Sequence, residues 1–98
     1  MNQADIDGLR SAVERQHGAP ATFRATERVR ETIEGNPVQL EVAVFDLPGH
    51  PRAILCYAWY RSDAGNNKSR AVAVLREGPI RSSADAVRFV LDEEDQMR

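Results

Sequence analysis

Eight consecutive apolar or aromatic residues, Ala53 to Tyr60, read Ala-Ile-Leu-Cys-Tyr-Ala-Trp-Tyr between the turn Pro48-Gly49-His50-Pro51 and the polar stretch Ser62 to Lys68. A strand built from them has no polar face, so it is expected to be buried on both sides. Any fold for this chain must therefore cover Tyr57 and Trp59 with its own helices, a second copy, a partner or a ligand.

Ninety-eight residues make one α+β domain spanning residues 1–98, with no room for a second. Hydrophobic and charged fractions of 42% and 29% are those of a globular chain, which excludes wholesale disorder. A net charge of -2 gives no general electrostatic attraction to nucleic acid or to an anionic membrane. Polar residues run through Met1 to Gly18, and no segment reaches the roughly 20 apolar residues of a membrane helix, so the expected setting is the cytoplasm. The single cysteine, Cys56, has no partner for an internal disulfide and belongs to no Cys-x-x-Cys pair.

Periodicity divides the chain into six elements. Ile6, Leu9, Ala12 and Val13 recur at helical spacing before the stop signal Gly18 and Pro20. Gly8 within that stretch weakens the helix by roughly 1 kcal/mol relative to alanine, so docking must hold it. From Thr22 to Glu34 the pattern alternates, with Phe23, Ala25, Val29 and Ile33 on one face and Arg24, Thr26, Arg28, Arg30 and Thr32 on the other. Gly35-Asn36-Pro37 turns the chain into a second strand, Val38 to Phe45. A register with Ile33 opposite Val38 and Arg30 opposite Glu41 satisfies an apolar and a charge pair together. The third strand runs Arg52 to Arg61 and the fourth Ser69 to Arg76, with Tyr60 expected opposite Arg70. Ser82-Ser83-Ala84-Asp85 nearly matches a capping box and opens a last helix carrying Ala86, Val87, Phe89, Val90 and Leu91. The acids Asp92 to Asp95 oppose its dipole, so residues 92–98 are expected to fray.

The expected fold is a two-layer α-β-β-β-β-α domain, a four-stranded antiparallel meander with both helices on one face. Double-stranded RNA-binding domains run helix, three strands, helix; the extra strand and a last helix without a lysine cluster separate this chain from them. With the helices on the face of Val29, Ile33, Val38, Leu40, Val42, Val44, Ile54, Cys56, Ala58, Val72 and Val74, the opposite face gathers Phe45, Tyr57, Trp59 and Leu75. Arg24 and Arg28 border that aromatic patch. Tyr, Trp, Phe and Arg are enriched at protein interfaces, so these six are the candidate binding residues of a small interaction module, with a protein partner or a second copy as the occupant. Two alternatives compete. An open aromatic sheet can stack single-stranded nucleic acid, which the acidic balance disfavours. Alternatively, one helix crosses to the second face, or the sheet curls, and Tyr57 and Trp59 are simply core.

Catalytic groups are sparse. His50 and Cys56 could form a dyad only if the thiol ionised inside an apolar strand, which burial opposes. His17 reads as a helix-end residue. Asp46 and His50 supply at most two metal ligands where structural zinc takes four, and Asp92 to Asp95 lacks the glycine and ligand alternation of a calcium loop. Ser82 and Ser83 read as helix caps. No catalysis, metal or cofactor is expected; a small-molecule cavity between helices and sheet stays open as an alternative, with no polar cluster pointing into it.

Overall fold

The computed structural model describes residues 1–33, 35–62 and 69–96, with side chains at all of these except 33, 36, 62, 69 and 93–96. Its order is α1 (Gln3–His17), β1 (Thr22–Ile33), β2 (Asn36–Asp46), β3 (Leu55–Ser62), β4 (Ser69–Leu75) and α2 (Ser83–Gln96). The four strands form one antiparallel sheet in the order β1-β2-β3-β4. The α+β class and the α-β-β-β-β-α order are those the sequence leads one to expect. The loop expected at 63–68 and the facing of Ile33 lie outside the described residues and side chains.

Local chemistry explains the helix ends. Asn2 caps α1 by accepting the Asp5 N–H at 2.8 Å, and Gly18 closes it at φ 65°, its own N–H donating to the Glu14 carbonyl at 2.9 Å. Ile6, Leu9, Ala12 and Val13 are its buried stripe, as their spacing implies. At α2 the Ser82 Oγ accepts the Asp85 N–H and the Asp85 carboxylate accepts the Arg81 N–H, each at 3.1 Å. The cap is therefore reciprocal, as a capping box is, but shifted one residue upstream. The helix continues through the acidic run to Gln96.

The helices do not share a face. Ile6, Leu9 and Val13 of α1 pack with Ala43, Phe45, Cys56, Ala58 and Leu75. Ala86 and Val87 of α2 pack with Val29, Val42, Val44, Leu55, Tyr57, Trp59 and Val74. The sheet is thus the middle of three layers, and the expected one-sided arrangement is corrected. The two faces of β3 are also exchanged relative to expectation, since Val44 pairs with Tyr57 on one side of it. Tyr60 pairs with Ala71, not Arg70, which places Trp59 opposite Val72 and Tyr57 opposite Val74. A slip of one residue inverts every side chain of a strand. The observed parity puts Ala43, Ala58, Ala71 and Ala73 beneath α1, where small side chains allow close approach; a Cβ on Gly8 would stand 2.1 Å from the Tyr60 hydroxyl. Tyr57 and Trp59 go to the other side, beneath α2.

The β1–β2 hairpin closes two residues tighter than expected, around Gly35 at φ 81°, with Ile33 opposite Asn36. A shift of two preserves the faces but replaces the Arg30–Glu41 pair with Arg28 opposite Glu41. The Glu41 carboxylate is held below its usual range, chiefly by the Met1 ammonium at 2.6 Å and also by Arg28. The third strand begins at Leu55, not Arg52, and Ile54, expected in the core, is exposed.

Candidate functional site

The two helices sit diagonally: α1 lies closest to β4 and α2 closest to β1. Each therefore leaves part of its sheet face open. Near β1 the open corner is polar, occupied by the exposed Thr26, Arg28 and Arg30. At β4 the open corner is apolar. There a groove of about 940 Å³ runs along the strand, from Gln16 and His17 at the end of α1, over Ala71 to Leu75, to Ile80, Phe89 and Val90. Val72 is half-buried on its floor, and Phe89 is 42% exposed at its rim.

The backbone of β4 is the second component of this site. The Arg76 N–H donates to the Leu55 carbonyl at 2.9 Å, so the even-numbered residues of β4 turn their N–H and C=O groups toward β3. Those of Ala71, Ala73 and Leu75 point to the free edge. Two of the edge carbonyls are taken, Ala73 by the His17 ring Nε2 at 3.2 Å and Leu75 by the Glu77 N–H at 3.0 Å. Among the described residues, the N–H groups of Ala71 and Ala73 and the carbonyl of Ala71 remain as a template for another strand. Arg70 stands at one end of the groove; Arg52 and Glu77, 3.9 Å apart, stand at the other.

The six residues chosen from sequence do not form one surface. Phe45 (0% exposed) and Leu75 (5%) belong to the core beneath α1, whereas Tyr57 (4%) and Trp59 (2%) belong to the core beneath α2. Arg24 is exposed and pairs with Asp46 at 2.9 Å; Arg28 is exposed on the α1 side of β1, facing Glu41 across the hairpin. The alternative in which one helix crosses to the second face is the arrangement found. Among the described residues the exposed ring of the sheet is Phe23, 36% exposed near the start of β1, and it packs edge-on against the buried Phe45 rather than joining Tyr57 and Trp59 in a stacking platform. The groove escaped sequence reading because it depends on which strand each helix lies over. Its legible signals are the nearly uncharged fourth strand and Phe89, which periodicity places on the apolar face of the last helix.

The histidine and cysteine are apart in chemistry as well as in sequence. His50 Nδ1 accepts the backbone N–H groups of Arg52 and Ala53, both at 3.1 Å, and so ties the turn together. Cys56 is fully buried beneath α1, and desolvation pushes its thiol up to about 12, far from an ionised nucleophile at neutral pH. Among the described residues no three His, Cys, Asp or Glu side chains are grouped so as to hold a metal ion. Among the described residues no helix is long and apolar enough to cross a membrane.

No family model matches the chain, and neither a curated protein nor a solved structure matches it significantly.

Proposed function

We propose that this chain is a small non-enzymatic interaction module, acting in the cytoplasm, that self-associates by pairing β4 with the β4 of a second copy. The carrying observation is the unpaired, nearly uncharged edge of β4 beside an apolar groove. An extended strand supplies the hydrogen bonds that Ala71 and Ala73 lack, which is the physics of strand addition.

The edge is self-complementary in three respects. A two-fold axis perpendicular to the sheet keeps the faces matched, so Val72 and Val74 meet their copies on the α2 side and Ala71 and Ala73 meet theirs on the α1 side. Antiparallel pairing also brings Arg70 of one copy to the end of the strand where Glu77 of the other stands, twice over by symmetry. Finally, the groove gives each exposed Phe89 an apolar bed across the axis. The His17 ring, which rests on the Ala73 carbonyl, is displaced by the incoming strand.

Light scattering over a concentration series tests the reading. The expected result is twice the chain mass for the wild type and a single chain mass for Ala73→Pro. Proline at residue 73 removes an N–H that faces outward and leaves the β3–β4 bonds intact. Should Ala73→Pro fail to fold, Val72→Lys interrogates the same edge through charge. A wild type that stays monomeric, or a dimer indifferent to both variants, overturns the reading.

A further inference from the structure

A second concavity, about 490 Å³, opens between β1, the start of β3 and the start of α2. Tyr57 lines it, is only 4% exposed, and its hydroxyl has no hydrogen-bond partner among the described residues. The ring is buried while the hydroxyl opens into the cleft, since no fully buried side-chain polar atom among the described residues lacks a partner, so the phenol is a donor within reach of a ligand. The acids around it are already engaged. Glu27 receives the Ser83 hydroxyl, Glu31 is paired with Arg88 at 2.9 Å, and Asp85 accepts the Arg81 N–H at 3.1 Å. The cations of the same wall are less committed: Arg24 is held by Asp46, but Arg76 and Arg81 have no ion pair among the described residues. The N–H groups of Ser83 and Ala84, in the first turn of the 14-residue α2, have no acceptor within the helix, and the helix dipole is positive there.

We propose that this cleft binds a phosphate group, held by the guanidinium groups of Arg76 and Arg81, the Tyr57 hydroxyl and the first-turn N–H groups of α2. Every one of these groups is a donor, β3 and α2 are fixed by the core through Tyr57, Ala86 and Val87, and a tetrahedral oxyanion offers acceptors in several directions at once. Burial holds the Tyr57 phenol above its ordinary range against the opposing pull of Arg76, with the nearby charges of Glu27 and Asp85 adding to the rise, so it stays protonated and donating at neutral pH. The phosphate is either free or borne by a phosphorylated side chain of another polypeptide.

Amide chemical shifts of Ser83 and Ala84 report occupancy, with inorganic phosphate as one probe and the peptide Gly-Gly-phosphoserine-Gly-Gly as the other. Saturable shifts are expected, weakened about tenfold or more in Tyr57→Phe, which keeps the ring and its packing, and similarly in Arg76→Gln. Tighter binding of inorganic phosphate identifies a free anion as the source, and tighter binding of the peptide a modified partner. The proposal is overturned if neither probe saturates, or if Tyr57→Phe binds both as the wild type does.

Discussion

The two edges of the sheet are protected in opposite ways. β1 carries Arg24, Glu27, Arg28, Arg30 and Glu31 along its 12 residues and lies closest to α2, to which Glu27 and Glu31 are tied through Ser83 and Arg88. It also bends at a bulge between Phe23 and Ala25. Charge, a bulge and a covering helix are the standard means of keeping an edge strand from pairing with another chain. β4 has seven residues, one described charge in Arg70, and a single histidine ring laid on one carbonyl. A chain that protects one edge so fully and the other so little has an edge to use. The same asymmetry recurs in the two corners the helices leave open, polar beside β1 and apolar beside β4.

The largest effect is expected at the core that supports the α2 cover of β1. Trp59→Ala should lower stability by about 3–5 kcal/mol, because a 2% exposed indole leaves a cavity when truncated. Chemical denaturation measures it, and a fold of undiminished stability would contradict the burial of this face and with it the contrast between the edges.

The layer beneath α1, on which β4 rests, is tested by pH. Cys56 has its thiol raised from 9.0 to about 12 by burial, so the unfolded chain ionises first. The stability this contributes is fully present below about pH 9 and is lost as pH rises from there toward 12. Denaturation curves across that window should fall more steeply for the wild type than for Cys56→Ala; parallel curves would mean the thiol is not buried.

Giving β4 the charge that β1 has is the direct exchange of the two characters. Val72→Lys sets like charges near one another across the two-fold axis and should weaken association by about tenfold or more, read by sedimentation, with the monomer still folded. Removing the one side chain that does guard β4 should act in the opposite sense. His17→Ala frees the Ala73 carbonyl and should tighten association by about fivefold, the worth of one net hydrogen bond. Weaker association in that variant would mean that His17 belongs to the interface and not to its protection.

Most of the fold is written locally, and the exceptions are instructive. The stripe Ile6, Leu9, Ala12 and Val13, the Gly18 stop, the four strands and the Ser82 cap all depend on neighbours within a few residues, and each is legible in the chain. Which side chains of β3 lie beneath which helix depends on whether Tyr60 meets Arg70 or Ala71, a choice of one residue made by long-range packing. Two registers offered the β3–β4 pair sensible contacts; what decides between them is the alanine layer that α1 needs, and that is a property of three elements together. The candidate binding residues inherited this ambiguity. Tyr57 and Trp59 were recognised as needing a cover, and α2 supplies it, so the residues that looked most like a site are core. The edge that remains was visible only as a strand poor in charge.

The most direct test of the account is the mass of the wild type and of Ala73→Pro, measured side by side by light scattering as concentration is raised. The account predicts a dimer that the single proline returns to a folded monomer. A wild type that remains a monomer, or a dimer that the proline leaves intact, would contradict it.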